Sequence, residues 1–482
     1  MPSQPPESLL TPLLAGLPAA LGEDAPAPPS GERRPVHTVY GGAHLFTHDV
    51  ASRLGRAALR HLDDWAPDFV TFARAVRLAG SDRLPAVTAE RLKLAGRLAA
   101  GADEARRAEP LALLALATWE RMRERLAREP VEDYRIDFED GFGFRTDAEE
   151  DEHVARVAGE LARGLAAGTL PAHVGIRIKP FTPGGRARAA RTLARLVQAL
   201  VPAAGGRLPD PFVVTRPKVT RAAQVAALAD CCDALERHHS LPDGALGVEL
   251  MIETPESVIA PDGTVPLRSF VAAARGRCRG VHFGAYDYTA ACGVAAAHQS
   301  LAHPACVFAR QVMRAALAGT DVALSDGAVT LLPAGPHRER DGAPLTERQR
   351  EANRVAVHEG WRAHFDEVRR ALREGFDQGW DLHPSQLVTR HAAVVSFYLE
   401  AREEAASRLA AFVERAARAS RHGSLVEDVA TGQGLLNFFL RGLACGALTE
   451  AEVLAAGLTL EELRGRSFES IAARRAGKTP SA

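Results

Sequence analysis

Charged residues close a series of short apolar runs in this chain, and their spacing is regular. Asp137, Glu139 and Asp140 end YRIDFED, Arg177 and Lys179 end VGIRIKP, and Arg216 and Lys218 end FVVTRPK. Glu253 follows LGVELMI, Asp287 follows GVHFGAY and His383 follows GWDL. Positions 140, 179, 218, 253 and 287 fall 34 to 39 residues apart, the length of one βα unit. Glu253 and Asp287, from neighbouring strands, make a hard oxygen pair suited to Mg2+ or Mn2+, with water and a chelating substrate completing the shell. Arg177 beside such an ion matches a substrate carboxylate bidentately. A cation and a metal around one oxyanion pocket stabilise an enolate, the intermediate of aldol and Claisen chemistry on 2-oxo acids or acyl thioesters. The proton-shuttling base stays open among Glu139, Asp140, a hydroxide on the ion and a carboxylate from another subunit.

Each of these residues also has a plainer reading. Glu253 and Asp287 suit the first turn of a helix through its dipole. Arg177 and Lys179 could flank an exposed strand, but the chain has only four lysines among 59 basic residues, and two of them, Lys179 and Lys218, close apolar runs. Glu139 and Asp140 lie on opposite faces of an extended strand, so at most one of them aims inward; Asp137 shares the parity of Glu139 and reads as structural. Glu249 lies on the same strand face as Glu253, as a supporting carboxylate or a salt-bridge partner at the barrel floor. His383 before Pro384 reads as a turn histidine and His238-His239 as exposed. His44 and His48 have the spacing of two metal ligands on one helix face, without the glutamate or third ligand that such a site needs.

The elements that would position these groups alternate along the chain. A first strand is expected at 36–40, then a helical insertion over about 48–129, then strands at 134–140, 174–180, 212–218, 246–254 and 280–287, each followed by a helix. Thr146 with Glu149 reads as a capping box, Thr254 before Pro255 as an N-cap, and Thr220 as the cap of the next helix. Two more strands, within 321–335 and 379–387, bring the count to eight. No GxGxxG or Walker loop opens a helix. The expectation is therefore an α/β fold, a (β/α)8 TIM barrel over 37–390, preceded by a flexible extension (1–36) and followed by a C-terminal helical extension (391–482). That extension breaks near 420–425 and has helices at 426–445 and 449–473.

Bulk properties remove several classes. With 59 basic and 60 acidic residues the formal charge is −1, which gives no global attraction to nucleic acid. No run of apolar residues is long enough for a membrane span, and no basic region precedes the apolar stretch near the N-terminus, so a cytoplasmic protein is expected. The six cysteines are scattered without a CxxC pair, which supports neither a zinc ribbon nor a disulfide framework. A small-molecule carboxylate is the expected partner.

Taken in order, GIRIKP, TRPKV, VELMIETPESV, HFGAYD and LHPSQL resemble segments of the citrate lyase β-subunit and HpcH/HpaI aldolase family, and RIDFEDG is similar to its Asp-Leu-Glu-Asp segment. The resemblance covers roughly residues 36 to 390. It implies a Mg2+-dependent barrel of the phosphoenolpyruvate/pyruvate type that makes or cleaves carbon–carbon bonds as a trimeric or hexameric homo-oligomer. By it, Glu253 and Asp287 fall on the metal ligands, Arg177 on the substrate-carboxylate arginine, and Glu139, Asp140 and Lys218 on the pocket lining. Where that family has Gly-Thr-Glu-Asp, this chain has Gly284-Ala285-Tyr286-Asp287-Tyr288, and the Asp-Tyr pair is similar to malate synthases. Coenzyme A as part of the substrate is thereby an open expectation. The first functional expectation is a Mg2+-dependent carbon–carbon lyase or aldolase. Its alternatives are a malate-synthase-like acyl-CoA condensation, a metal-free Schiff-base aldolase in which burial and Arg216 lower the pKa of Lys218, and a non-catalytic oxo-acid-binding barrel.

Overall fold

The structure is a computed structural model that describes residues 33–100, 109–339, 343–422 and 429–477. Eight strands form the barrel: β1 (His37–Gly42), β2 (Asp133–Asp137), β3 (His173–Arg177), β4 (Phe212–Arg216), β5 (Leu246–Ile252), β6 (Cys278–Phe283), β7 (Ala323–Ala328) and β8 (Gln378–Asp381). They pair in parallel in chain order, and β1 closes on β8 through His37 beside Gly379. The expected (β/α)8 barrel is therefore present. Its strands are buried on both faces, which is why they read as nearly continuous apolar runs rather than alternating ones.

The strands stop earlier than the apolar runs suggest. Glu139 and Asp140, Lys179, Lys218, Glu253 and Asp287 all lie beyond the last strand residue, in the loops and helix starts at the carboxyl end. Opposite-face parity therefore does not govern Glu139 and Asp140, and the structure corrects that expectation.

Helices α1 (Val50–Trp65), α2 (Phe69–Ala75), α3 (Thr88–Ala100) and α4 (Pro110–Arg128) fill the segment between β1 and β2. The ring continues with α5 (Asp147–Ala167), α6 (Arg186–Ala203), α7 (Ala222–His239), α8 (Pro255–Val258), α9 (Leu267–Ala273), α10 (Ala285–Ala291), α11 (Pro304–Leu317), α12 (Glu347–Arg373) and α13 (Pro384–His422). Thr146 and Glu149 form the expected capping box of α5, and Thr254 caps α8 with Pro255 in its first turn. The N-cap of α7 is Arg221 rather than Thr220; Gln224 reaches back to accept from the Thr220 N–H at 2.9 Å.

Position 390 falls inside α13, so the C-terminal extension grows out of the eighth barrel helix without a break. The expected break at 420–425 lies largely outside the described residues, as does most of the 1–36 extension. Beyond it are α14 (Val429–Ala444), α15 (Glu450–Ala455), α16 (Leu460–Gly465) and α17 (Phe468–Arg475), so the single helix expected at 449–473 is three short ones. Thr449, Thr459 and Ser467 each cap one of them, which is why the chain restarts three times. Among the described residues no helix is long and apolar enough to cross a membrane.

Inside the barrel a polar layer replaces the usual aliphatic filling. Glu249 accepts from Arg135 Nη2 at 2.6 Å, Thr215 Oγ1 at 2.7 Å and Tyr40 OH at 3.1 Å, and lies 2.9 Å from His282 Nε2. Asp133 pairs with the other side of Arg135. Burial alone would raise the Glu249 pKa, but Arg135 and His282 outweigh it and hold the carboxyl well below the usual range. Glu249 is thus the salt-bridge partner in the barrel interior. Removing one member of a buried pair strands the other, so Glu249→Ala is expected to lower unfolding stability by about 3–5 kcal/mol, measured by urea denaturation at neutral pH. A loss below about 1 kcal/mol would mean that water or Asp133 alone satisfies Arg135.

Candidate active site at the carboxyl end of the barrel

The carboxyl ends of β2, β4, β5 and β6 bring four carboxylates to one ammonium. Lys218 Nζ lies 2.7 Å from Glu139 Oε1, 3.7 Å from Asp140 Oδ1 and 3.7 Å from Asp287 Oδ2. The fourth carboxylate, Glu253, accepts from the Lys218 backbone N–H at 2.6 Å. One residue thus serves the cluster twice, through a left-handed backbone with φ of 51°. That conformation costs a lysine on the order of 1–3 kcal/mol and persists because the surrounding contacts over-determine it. Gly284 permits the close approach of the β6 loop, since a Cβ there would stand 2.5 Å from Glu253 Cβ. Lys218, Glu253 and Asp287 line a cavity of about 420 Å3 that is walled by Phe181 and flanking prolines.

Charge crowding governs the electrostatics. Glu253 is 2% exposed. Burial, with Glu139 and Asp287 nearby, pushes its pKa up to about 8 against the opposing pull of Lys218. Glu139 is also raised, by burial first and by Asp140, although Arg177 and Lys218 both oppose the shift. Burial would lower Lys218, but Glu139, Glu253 and Asp140 reverse this and hold it above its ordinary value. The Schiff-base reading requires the opposite direction, and Arg216 does not supply it. Arg216 is fully buried, donates to the Pro217 carbonyl at 2.8 Å and stacks 4.4 Å from the Phe181 ring centre.

Arg177 belongs to the same cluster, but its fork is engaged. Nε donates to Asp137 at 2.7 Å, and Nη2 binds the other Asp137 oxygen. Only Nη1 turns to the site, 3.1 Å from Glu139 Oε2 and 3.9 Å from Asp140 Oδ2. A bidentate grip on a substrate carboxylate is not available to Arg177 in this arrangement. Asp137 and Arg177 end adjacent strands in register, and the assembled sheet is what brings them together. Lys179 lies outside the cluster, bound to Glu150 at 2.7 Å and to the Phe138 carbonyl. His383 accepts from the Ser385 N–H at 3.1 Å, as a turn histidine does. His44 and His48 do not share a helix, and His48 faces Thr169.

The donor set fits a hard divalent cation. Every acidic atom in the cluster is a carboxylate oxygen, and Glu253 bears a repulsion that a bound cation would relieve. Among the described residues no three acidic, histidine or cysteine side chains are arranged as a complete ligand set. Glu253 and Asp287 would therefore hold an ion as a pair, with substrate and water oxygens supplying the rest.

The raised Glu253 pKa has a stability consequence. Unfolded, this carboxyl releases its proton near pH 4.3, but folded it keeps it to about pH 8. Its contribution is therefore fully present at low pH and lost as pH rises through that window. In EDTA, Glu253→Gln is expected to match the wild type at pH 4 and to exceed it at pH 9 in urea midpoint. Equal midpoints at pH 9 would show that the crowding is relieved some other way.

Comparison with known proteins adds the following. Solved structures of Haloferax volcanii malate synthase align with the chain. The form at 3 mM glyoxylate does so at 13% identity and a TM-score of 0.41, over 86% of this chain and 100% of that one. The pyruvate/acetyl-CoA ternary complex aligns at 14% and 0.39, over 58% of this chain and 64% of that one. These are loose superpositions, and the barrel is established by its own strand pairing. No curated protein matches the chain. A family model described as a domain of unknown function (DUF6986) matches residues 20–471, and the chain belongs to that family.

Proposed function

We propose that this protein is a divalent-cation-dependent enzyme that makes or breaks a carbon–carbon bond next to the carbonyl of a 2-oxo acid or an acyl thioester. The observation that carries the reading is the convergence of Glu139, Asp140, Glu253 and Asp287 on Lys218, at the end of the barrel where such folds hold their active sites. Glu253 and Asp287 would hold Mg2+ or Mn2+, which when bound supplies Lewis-acid charge to the oxygens of the substrate.

The chain's own residues supply the remaining functions. Lys218, kept protonated by its carboxylates, presents a fixed positive charge to a substrate carboxylate or to the negative oxygen that develops as the bond breaks. Glu139 touches both Lys218 and Arg177, and its raised pKa suits a group that takes and returns a proton. Asp137 fixes Arg177 so that Nη1 remains on Glu139. Arg177 is therefore read as a positioning residue for Glu139, in place of the carboxylate clamp expected from sequence. The resemblance to the citrate lyase β-subunit and HpcH/HpaI family supports Glu253 and Asp287 as the metal ligands and a small carboxylate substrate, and it differs from this reading at Arg177.

The test is a screen of the purified chain with Mg2+ against pyruvate- and glyoxylate-releasing or -condensing substrates, as free acids and as CoA thioesters. Activity is expected to disappear in EDTA and to fall by about a hundred- to a thousand-fold or more in Glu253→Gln, Asp287→Asn and Lys218→Met. Free thiol release from an acyl-CoA with glyoxylate would assign the condensation direction. Borohydride reduction with any active 2-oxo acid is expected to leave no adduct on Lys218. Full activity in EDTA, or a trapped adduct, would overturn the reading.

A further inference from the structure

Arg216, the last residue of β4, is fully buried, and its guanidinium is underused. Nη1 donates to the neighbouring Pro217 carbonyl at 2.8 Å, and among the described residues Nε and Nη2 have no hydrogen-bond partner. A buried cation without an acceptor is costly, because nothing replaces the water it has lost. Burial accordingly pushes its pKa down to about 10, with Glu253 and Glu139 opposing. In Arg177 the same desolvation is reversed by Asp137.

Nε and Nη2 form the edge with which an arginine forks a carboxylate. Arg177 uses that edge on the two oxygens of Asp137, and Arg475 uses it on those of Glu462 at 2.7 and 2.8 Å. On Arg216 the same edge meets no carboxylate of the chain.

Its position joins it to the candidate active site. The guanidinium stands 4.4 Å from the centre of the Phe181 ring, and Phe181 walls the cavity that Lys218, Glu253 and Asp287 line. Phe181 is only half-buried, in the loop Pro180-Phe181-Thr182-Pro183-Gly184-Gly185, so one ring separates the unpaired edge from the cavity.

We propose that Arg216 is the carboxylate receptor of this enzyme: a 2-oxo acid entering the cavity displaces the Phe181 ring and places its carboxylate on Nε and Nη2. The inference rests on the reaction class proposed above. It supplies the fork that Arg177 cannot, and leaves Lys218 to the oxygen that becomes negative. The same edge sets specificity, since a neutral amide in place of the carboxylate leaves the buried charge unmatched.

Calorimetric titration of the full chain in Mg2+ with pyruvate, and with pyruvamide as its neutral counterpart, tests the proposal. The wild type is expected to bind pyruvate about tenfold or more tighter than pyruvamide. Arg216→Met is expected to weaken pyruvate by about tenfold or more, with the affinities for Mg2+ and pyruvamide unchanged. Arg216→Lys keeps a charge but not the paired edge; it is expected to fall between the two, and it stands in if the Met variant does not fold. With a substrate found in the activity screen, either variant is expected to raise KM more than it lowers kcat. Pyruvate left unbound by the wild type, held as tightly by the variants as by the wild type, or weakened no more than pyruvamide would overturn the proposal. Absence of Mg2+ binding by the wild type would overturn the reaction class instead, and an Arg216-dependent preference for pyruvate would survive it.

Discussion

The carboxyl end of the barrel is organised by a shortage of positive charge. Four carboxylates meet there, and of the two cations in contact with them, Arg177 is already matched by Asp137. Among the described residues Lys218 is thus the one ammonium left for Glu139, Asp140, Glu253 and Asp287. A cluster so composed has two ways to approach neutrality, retaining a proton or binding another cation. The first is visible in the raised Glu253 and Glu139; the second is why a divalent ion suits Glu253 and Asp287. Both follow from the same crowding, so a proton and an ion held as proposed by Glu253 and Asp287 would compete for one site.

Such crowding is sustainable only on a stiff support. The strands under the site are packed on both faces, and their interior carries the Arg135, Glu249, Thr215 and His282 network, in which every named carboxylate oxygen has a partner. Glu249 stays ionised because Arg135 and His282 lie against it, whereas burial and neighbouring carboxylates prevail at Glu253 above it. The contrast sets a buried carboxyl whose pKa is lowered beside one whose pKa is raised within a single barrel. Glu249 and Glu253 lie four residues apart on one strand and its loop, yet burial is overcome in the first and prevails in the second. The difference is Arg135.

The barrel was legible in the sequence because βα spacing and strand-end charges repeat, and those signals are local. Eight strands in order, the cap at Thr146 and the convergence of Glu253, Asp287 and Lys218 all follow from them. What was not legible depends on where strands stop. An apolar run continues into its loop without a change of composition, so YRIDFED does not show that pairing ends at Asp137, and parity then misplaces Glu139 and Asp140. The fork of Arg177 was assigned to a substrate because its partner sits 40 residues earlier in chain order, as the bond to Asp137 records. Lys179 misled for a related reason: its spacing matches Lys218, but past the strand it turns to Glu150 on the outer helix α5. Side-chain direction beyond a strand end is set by tertiary packing, which no periodicity encodes.

The two ends of the barrel are also divided between different parts of the chain. Helix α13 starts at the carboxyl end beside β8, runs past the amino end and delivers α14 to α17 there, where Arg121 and Arg125 of α4 bind Glu452 and the Cys445 carbonyl. The described C-terminal helices therefore stand away from Lys218 and do not cover it. Water must be excluded from the cluster by the βα loops themselves, such as the Pro180–Pro183 wall, by the substrate, or by a second copy of the chain. By the same geometry, a proton acceptor supplied within the chain has to come from the loops that already carry carboxylates. Of these, Glu139 is both buried and in contact with Lys218 and Arg177, which makes it the group best placed for the proposed proton transfer.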